Sequence, residues 1–574
     1  MTNTQTTTQQ NKGLTLHPVI SRLFSQRELS NDQILDFLSW DLKKLPNLTN
    51  LIDLDKAAER VILAIKNNEK IGVYGDYDVD GTTSCALLFH FFKMLNIEIE
   101  MIQPSRFVEG YGIHPPSVED AINKGIKLLM TVDCGITNNE AAEYALERDI
   151  DLIITDHHKD ARDEMPKAFA IVNPNRRDEP QDSPLKPMAG VGIAFCLALK
   201  IKQILESEGQ TIPSLYPLLQ FVAVGTVCDL AKLTPVNLRL VRHGLKQLPK
   251  TQYPGLQTFI SPEEKELPFI PSDKLAFLIG PMINSKGRLD HPEKALKLLT
   301  SDNYEEARTY FSHLEICNNE RKFIQSQVFK EAKDLILKEI SEELNSAIVY
   351  KSDWHEGVIG IVASKLVETF NVPAMVFTNG EEEGVIKASC RSAGELNLFE
   401  ILDENNDLYL KFGGHKAAAG LSMPKENFSE FKKRISKKLS TIAEIERKNQ
   451  QTYDLEINAQ EITPTLLKQL DYLEPFGMGN ARPIFKVKNL NLASYQLMKD
   501  VHVRWNFKSK EGLNLRGVSF NYLDKWGHDH PDKIFESQSN SINGLTCYFT
   551  LTLNHFNGNK YIQLMVNRID IQDF

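Results

Sequence analysis

Gly75-Asp76-Tyr77-Asp78-Val79-Asp80-Gly81 follows directly on the apolar run Ile71 to Tyr74, so a strand-like segment ends in a turn carrying three carboxylates. Like charges held this close in a buried turn repel unless they are protonated or neutralised by a cation. The pattern recurs downstream: the apolar run Leu128 to Val132 ends in Asp133, and Leu152 to Thr155 ends in Asp156-His157-His158. In an open parallel sheet the carboxyl ends of strands are where ligands bind. Oxygen donors with one or two imidazoles suit Mn²⁺ or Mg²⁺ better than a thiolate-rich set would.

Working outward, apolar runs at Ile71 to Tyr74, Ile97 to Ile102, Leu128 to Val132, Leu152 to Thr155 and Phe169 to Val172 are separated by helix-compatible segments, Thr83 to Leu95, Pro116 to Lys124 and Asn138 to Arg148. Such alternation predicts βαβ units and a mostly parallel sheet. Helices are expected over Val191 to Glu208 and Tyr216 to Leu230, the second containing Gly225-Thr226-Val227-Cys228-Asp229 and so a further carboxylate. Asn303 to Asn345 is charged, amphipathic and free of Gly and Pro, which fits one long helix, either bridging two domains or lying on the edge of a core. A second α/β unit follows: strand Ala347 to Tyr350, helix Gly360 to Phe370, strand Ala374 to Phe377, a glycine-rich turn Gly413 to Gly420, and a basic helix Phe428 to Arg447. Beyond Gln451, short alternating runs at Leu455 to Ile457, Ile484 to Val487, Val501 to Phe507, Leu513 to Phe520, Thr546 to Leu553 and Tyr561 to Val566 predict a small β-barrel or sandwich.

With 574 residues the chain is too long for one core and is expected to hold three or four domains. Its 42% hydrophobic and 25% charged residues describe an ordinary soluble protein. The polar start, Met1 to Lys12, and the lack of a spanning apolar stretch lead us to expect neither secretion nor membrane insertion, hence a cytoplasmic location. The seven cysteines stand singly without CxxC spacing, as reduced core thiols would. A formal net charge of −10 argues against nucleic acid at first sight, but many acids around a dinuclear site would be offset locally by its ions.

Asp78 and Asp80 lie two apart, so each can serve one ion while Asp133 bridges, His157 supplies a nitrogen and Asp229 closes the cluster. Two ions roughly 3.5 to 4 Å apart follow the two-metal logic of phosphodiester hydrolysis. His158 is then free to meet a substrate phosphate. The plainer reading, that each aspartate merely caps the next helix, is weighed evenly for Asp76 but does not account for the whole set.

The motifs in order resemble a known superfamily. Gly-Asp-Tyr-Asp-Val-Asp-Gly at 75–81, Thr-Val-Asp-Cys-Gly-Ile-Thr at 131–137, Asp-His-His at 156–158 and Gly-Thr-Val-Cys-Asp at 225–229 are similar to the successive motifs of the DHH phosphoesterases. More narrowly, Pro-Ser-Arg-Phe-Val-Glu-Gly-Tyr-Gly at 104–112, Gly-Pro-Met-Ile-Asn-Ser-Lys-Gly-Arg-Leu at 280–289, Cys-Arg-Ser at 390–392, the glycine-rich run at 413–420 and Glu-Pro-Phe-Gly-Met-Gly-Asn at 474–480 resemble the RecJ family of single-stranded-DNA-specific exonucleases. Cys134 departs from the Asn usual after the bridging Asp, and Ser285-Lys286 from the usual small residues.

The resemblance implies two α/β domains, a DHH domain with a mostly parallel sheet and a DHH-associated domain, joined by a long helix and followed by an OB-like β-barrel. The expected boundaries are 1–50 for an N-terminal extension, 51–300, 301–345 for the helix, 346–450, and 451–574. It implies two Mn²⁺ or Mg²⁺ ions on Asp76, Asp78, Asp80, Asp133, His157 and Asp229, with Asp133, Asp156 and His158 as catalytic groups. It further implies phosphate binding, including the 5′ end, by Arg106, Tyr111, Arg288, Ser389, Arg391, Ser392, Gly414 and His415. Guanidinium forks fit that task.

The activity implied is 5′→3′ hydrolysis of single-stranded DNA to 5′-mononucleotides in repair and recombination. Partners implied are a helicase and a single-strand-binding protein, with the chain acting as a monomer away from membranes. Rival readings are an oligoribonucleotide or cyclic-dinucleotide phosphodiesterase and an inactive single-strand-binding replication scaffold. The long C-terminal β region speaks against the first, and the complete ligand set against the second. In that region Tyr495, Trp505, Phe507, Phe520, Tyr522 and Trp526 interleave with Lys499, Arg504, Lys508 and Arg516, as a stacking platform would. The Lys432-Lys433-Arg434 and Lys437-Lys438 cluster reads as a solvated helix face.

Overall fold

The computed structural model describes residues 15–104, 110–160, 164–289, 293–340, 344–450, 452–527, 532–535, 542–556 and 559–571. It divides into two units: Asp32–Glu320 with Leu473–Ala481, and Met1–Asn31 with Arg321–Tyr472 and Arg482–Phe574.

The first unit is built on a five-stranded sheet of β1 (Ile71–Gly75), β2 (Glu100–Ile102), β3 (Leu128–Val132), β4 (Asp151–Thr155) and β5 (Ala170–Val172), in the order β2-β1-β3-β4-β5. Every pairing is parallel. A parallel sheet must be covered on both faces. Accordingly Val73, Met130 and Ile153 point into one core and Tyr74, Leu129 and Ile154 into another. Helices Val79–Met94 and Leu219–Cys228 are apolar nearly all round and buried, as central helices are.

Among the boundaries that differ from the sequence reading, two have identifiable reasons. β2 begins at Glu100 because Asn96 turns at φ 58° and the Ile97 N–H closes the preceding helix on the Phe92 carbonyl, so this stretch is spent on a helix cap. The helix expected to reach Leu230 stops at Cys228, since Leu230 adopts φ 58°.

In the second unit β6 (Ala347–Tyr350), β7 (Ala374–Asn379), β8 (Val385–Arg391), β9 (Lys411–Gly414) and β10 (Ala418–Pro424) form a mixed sheet in the order β6-β7-β8-β10-β9. One face packs on helix Glu356–Phe370 and on Val328, Phe329, Ala332 and Ile336 of the long helix. The other packs on Phe431, Ile435 and Leu439 of helix Phe428–Ser440. The long helix is continuous over Tyr304–Glu339, and the boundary between the units falls inside it. The glycine-rich run is a hairpin, not a loop: β9 and β10 take up most of it and leave His415-Lys416-Ala417 as the turn. Gly414 is required there because a Cβ would lie 2.5 Å from Ala419 Cα. The basic helix ends at Ser440. Several of its cations pair with acids, Arg434 with Asp407 at 2.9 Å and Lys438 with Glu404 at 2.7 Å, which offsets part of the positive charge of the face.

After β11 (Leu455–Glu456), strands β12 (Phe485–Met498), β13 (His502–Lys508), β14 (Asn514–Ser519), β15 (Ile542–Phe556) and β16 (Asn559–Asp570) close into a five-stranded barrel, β12-β13-β14-β16-β15 and back to β12. β14 and β16 are parallel and the other barrel pairings antiparallel, the pairing of an OB fold. Of the aromatic set in the sequence, Trp505, Phe507 and Tyr522 are core residues, whereas Tyr495, Phe520 and Trp526 are exposed.

Trp505 is fully buried and its Nε1 donates to Ser519 Oγ at 2.9 Å. Trp505→Ala is expected to destabilise the barrel by about 3–5 kcal/mol. Phe520→Ala, at a 58% exposed position, should stay within about 0.5 kcal/mol of the parent. Urea unfolding of both variants followed by circular dichroism checks the contrast.

Candidate metal centre

β1 ends at Gly75, where a Cβ would meet Cys85 Sγ at 2.2 Å. Asp76 then leaves the sheet, its N–H donating to the Val132 carbonyl at 3.3 Å and its carbonyl accepting from Gln103 Nε2 at 3.0 Å. Asp78 is the N-cap of helix Val79–Met94, one oxygen accepting the N–H groups of Asp80 (2.9 Å) and Gly81 (3.1 Å). It is thus both a cap and a member of the acidic turn. Asp80 is fully buried and accepts the N–H groups of Gly190 (2.6 Å) and Val191 (2.9 Å) at the start of helix Gly190–Ser207, where the helix dipole favours negative charge.

Asp133 follows β3 at φ 61°, a conformation costly for a residue with a side chain. Gly190 faces it at a position where a Cβ would lie 2.7 Å from Asp133 Cβ. Asp229 caps the C-terminal end of helix Leu219–Cys228, and Gly225 one turn earlier leaves room for Asp80, whose Oδ1 would otherwise be 2.7 Å from a Cβ.

These elements bring the acids to one point. His157 Nε2 lies 3.1 Å from Asp133 Oδ1, 3.7 Å from Asp80 Oδ2 and 3.8 Å from Asp229 Oδ2. Three sets of donor atoms each fall within 4.8 Å of one another: Asp76, Asp78 and Asp133; Asp80, His157 and Asp229; Asp133, His157 and His158. Asp133 belongs to two of them. His158 Nδ1 is 2.8 Å from Asp156 Oδ1, and the Tyr111 hydroxyl is 3.0 Å from the same nitrogen. Tyr111 is held there because the buried Tyr74 hydroxyl donates to the Gly112 carbonyl at 3.0 Å.

The electrostatics are those of a site that calls for positive charge. Burial, then repulsion from Asp80, Asp78, Asp76 and Asp229, pushes the Asp133 carboxyl well above the usual carboxylate range. Burial and Asp78 raise Asp80 against the opposing pull of His157, and burial with Asp80 and Asp78 takes Asp229 up to about 8. Asp133 Oδ1 and His157 Nε2 are buried, yet neither is aligned for a hydrogen bond among the described residues. Unaligned buried acceptors, mutually repelling acids and an all-oxygen-and-imidazole donor set fit hard divalent cations. Asp156 is different. Its desolvation is outweighed by hydrogen bonds from His158 and from the Ile136, His157 and His158 N–H groups, and its pKa falls. The reciprocal effect, against desolvation, lifts His158 to about 9. Cys134 points into the apolar cluster around Leu129 and Ile154, away from any ligand role.

Of the other sequence candidates, Arg106 and the side chain of Arg288 lie outside the described residues. Ser389, Arg391, Ser392, Gly414 and His415 gather at one end of the second unit's sheet: Arg391 pairs across to Ala418, and the Ser392 and His415 N–H groups donate to the Ala417 and Ala418 carbonyls. Arg391 Nη1 donates to Ser389 Oγ at 3.0 Å and to the Cys390 carbonyl. Burial pulls its pKa down, and among the described residues no carboxylate pairs with it. The sequence reading missed Gly190 and Gly360, and it placed Gly225 in a motif without its role in making room for Asp80. A Cβ on Gly360 would stand 3.0 Å from Ser389 Oγ and 3.1 Å from Arg391 Nη2, a contact no local pattern announces.

Comparison with known proteins agrees with this architecture. Residues 70–226 match the DHH family, N-terminal domain; 343–441 match the DHHA1 domain; and 453–568 match the RecJ OB domain. The chain is 31% identical to the single-stranded-DNA-specific exonuclease RecJ of Haemophilus influenzae over 571 residues, covering 96% of each, and matches that of Escherichia coli equally well. It is 32% identical to the Bacillus subtilis RecJ, of which it spans 64%. The crystal structure of RecJ from Thermus thermophilus in complex with Mn²⁺ superposes with a TM-score of 0.76 at 26% identity, covering 98% of this chain and 79% of that one. With its fold, its motif order and relatives matched end to end, the chain belongs to the RecJ family.

Proposed function

We propose that the protein is a single-stranded-DNA-specific 5′→3′ exonuclease that releases 5′-mononucleotides with two Mn²⁺ or Mg²⁺ ions, in DNA repair and recombination. The observation that carries the reading is the convergence of five carboxylates and His157 into two donor sets, Asp76 with Asp78 and Asp133, and Asp80 with His157 and Asp229, linked where Asp133 Oδ1 lies 3.1 Å from His157 Nε2. Asp76, Asp78 and Asp133 would hold one ion and Asp80, His157 and Asp229, with Asp133, the other. When bound, paired ions polarise a phosphoryl oxygen and stabilise charge on the attacking and leaving oxygens of an in-line displacement. His158, whose pKa is raised, against desolvation, to about 9 by Asp156 and the nearby acids, is half-exposed and offers its ring to a substrate phosphate while Asp156 fixes it. Tyr111 flanks that imidazole. Arg391 with Ser389 suits a terminal 5′ phosphate, because a partly buried guanidinium that pairs with no carboxylate among the described residues keeps its fork open to an anion. The OB-like barrel, a fold used for single strands, separates this reading from small-phosphodiesterase alternatives. Among the described residues no helix is long and apolar enough to cross a membrane. Action as a cytoplasmic monomer, with a helicase and a single-strand-binding protein supplying the strand, completes the proposal.

The direct test supplies Mn²⁺ with 5′-labelled strands, 3′-labelled strands and the matching duplex. Mononucleotide release from the 5′ label first, with duplex resistant, is expected; release from the 3′ end refutes the polarity.

Asp133→Asn should abolish turnover while the protein in EDTA is no less stable than the parent, since a repelling buried acid has been neutralised. Normal turnover in the folded variant would remove Asp133 from the centre. Arg391→Ala should erase the preference for 5′-phosphorylated over 5′-hydroxyl ends and leave Mn²⁺ binding unchanged.

A pH dependence follows from the raised carboxyls. Asp229, near 8 when folded and about 3.9 unfolded, keeps its proton in the folded state across that interval. The metal-free fold therefore binds more protons than the unfolded chain, and stability falls as pH rises through 8. His158, raised to about 9, acts in the same direction above about 6.5. Because cations replace those protons, the gain in melting temperature on adding Mn²⁺ should be larger at pH 8.5 than at pH 5.5. Scanning fluorimetry with Mn²⁺ and with EDTA measures the difference, and an equal gain at both pH values contradicts the argument.

A further inference from the structure

His157 and His158 are placed through their backbone as firmly as through their rings. One oxygen of Asp156 accepts both N–H groups, at 2.7 and 3.1 Å. Both carbonyls are taken by side-chain amides just beyond β5: Asn175 Nδ2 donates to the His157 carbonyl at 2.6 Å, and Asn173 Nδ2 to the His158 carbonyl at 2.9 Å. The clamp is itself locked. Asn173 is fully buried and its Oδ1 accepts the Asn175 N–H at 2.7 Å, an Asx turn, while Asn175 also donates to the Lys186 carbonyl at 3.1 Å. All four backbone polar groups of the histidine pair are therefore engaged by three side chains.

That arrangement matters because a small tilt of a backbone peptide is magnified at the far nitrogen of an imidazole, and a misplacement of about 1 Å costs on the order of 100-fold in rate. Asp156 alone restrains the pair from one side. The amides restrain it from the other, across the β4–β5 edge of the sheet.

We infer that Asn173 and Asn175 are positioning residues for the reaction, Asn175 acting through His157 on the bound cations and Asn173 through His158 on the substrate phosphate. The inference rests on the reading of His157 as a ligand given above.

The test is calorimetric titration of Mn²⁺ into the metal-stripped full-length parent, Asn175→Ala, His157→Ala and the double variant. Asn175→Ala should weaken Mn²⁺ binding by about 10–100-fold, the usual loss for a group that orients a ligand. His157→Ala should weaken it at least as much, and the double variant should be no weaker than His157→Ala. Asn173→Ala should lower kcat by a similar factor with KM and Mn²⁺ affinity unchanged. If His157→Ala binds weakly and Asn175→Ala binds like the parent, the inference is overturned and the proposed function stands. If His157→Ala binds like the parent, both fall. Losses that add in the double variant assign Asn175 a general packing role and also overturn the inference. Should Asn175→Ala not fold, Asn175→Asp keeps the shape, removes both donors and carries the same titration.

Discussion

Mutual repulsion among buried carboxylates is the constraint around which the first unit is organised. Asp76, Asp80 and Asp133 are all but inaccessible to water, and Asp78 and Asp229 complete the group. Bringing such charges together costs several kcal/mol in desolvation alone unless they are protonated or matched by cations. The close approach itself is permitted by backbone features: left-handed φ at Asp133, and Gly190 and Gly225 standing where a methyl group would strike an acid. Proteins keep local strain of this kind where function demands it.

The chain's own compensation is partial and uneven, and the unevenness sorts the aspartates by role. Two helices begin at the cluster, one capped by Asp78 and one donating its first N–H groups to Asp80, so both present the positive end of their dipoles. Asp156, with three backbone N–H groups and an imidazole, is satisfied and acidic. Asp133 has no such set of donors among the described residues, and burial with repulsion from its neighbouring acids drives it up. Adjacent strand ends thus carry one carboxylate made into scaffold by its donors and another, buried and facing four repelling acids, that calls for a cation.

The site acids and the parallel sheet were legible because their signal is local: an apolar run that ends in a carboxylate says where a strand stops and which way it faces. The barrel strands were legible through alternation, although the sequence could not choose between barrel and sandwich, since closure depends on β12 pairing with both β13 and β15. What stayed hidden is non-local. Gly190 matters because of Asp133 and Gly360 because of Arg391, and neither partner is near in sequence. Asn173 and Asn175 carry no local signal for their role, which shows only in their amides on the histidine carbonyls. The aromatic run divided only once burial was known, with Trp505 and Phe507 inside the barrel and Phe520 outside.

The motif Glu-Pro-Phe-Gly-Met-Gly-Asn at 474–480 shows the same principle from the opposite side, as a distinctive string that carries no chemistry of its own. It lies between residues of the second unit yet belongs to the first. Buried Arg242 donates through Nε to the Glu474 carbonyl at 2.7 Å, Ser272 Oγ donates to the Glu474 carboxylate at 2.7 Å, and Asn480 Nδ2 donates to the Leu473 and Pro475 carbonyls. The Met478 carbonyl then accepts the Leu233 N–H at 2.8 Å, and Gly477 and Gly479 let the strand of chain lie flat on Leu233 and Lys232. Those residues form the turn just after Asp229. A segment made far downstream therefore ties down the turn behind a candidate ligand. Its side chains are constrained by buried hydrogen bonds that would each leave an unsatisfied group, at about 1–3 kcal/mol, if broken.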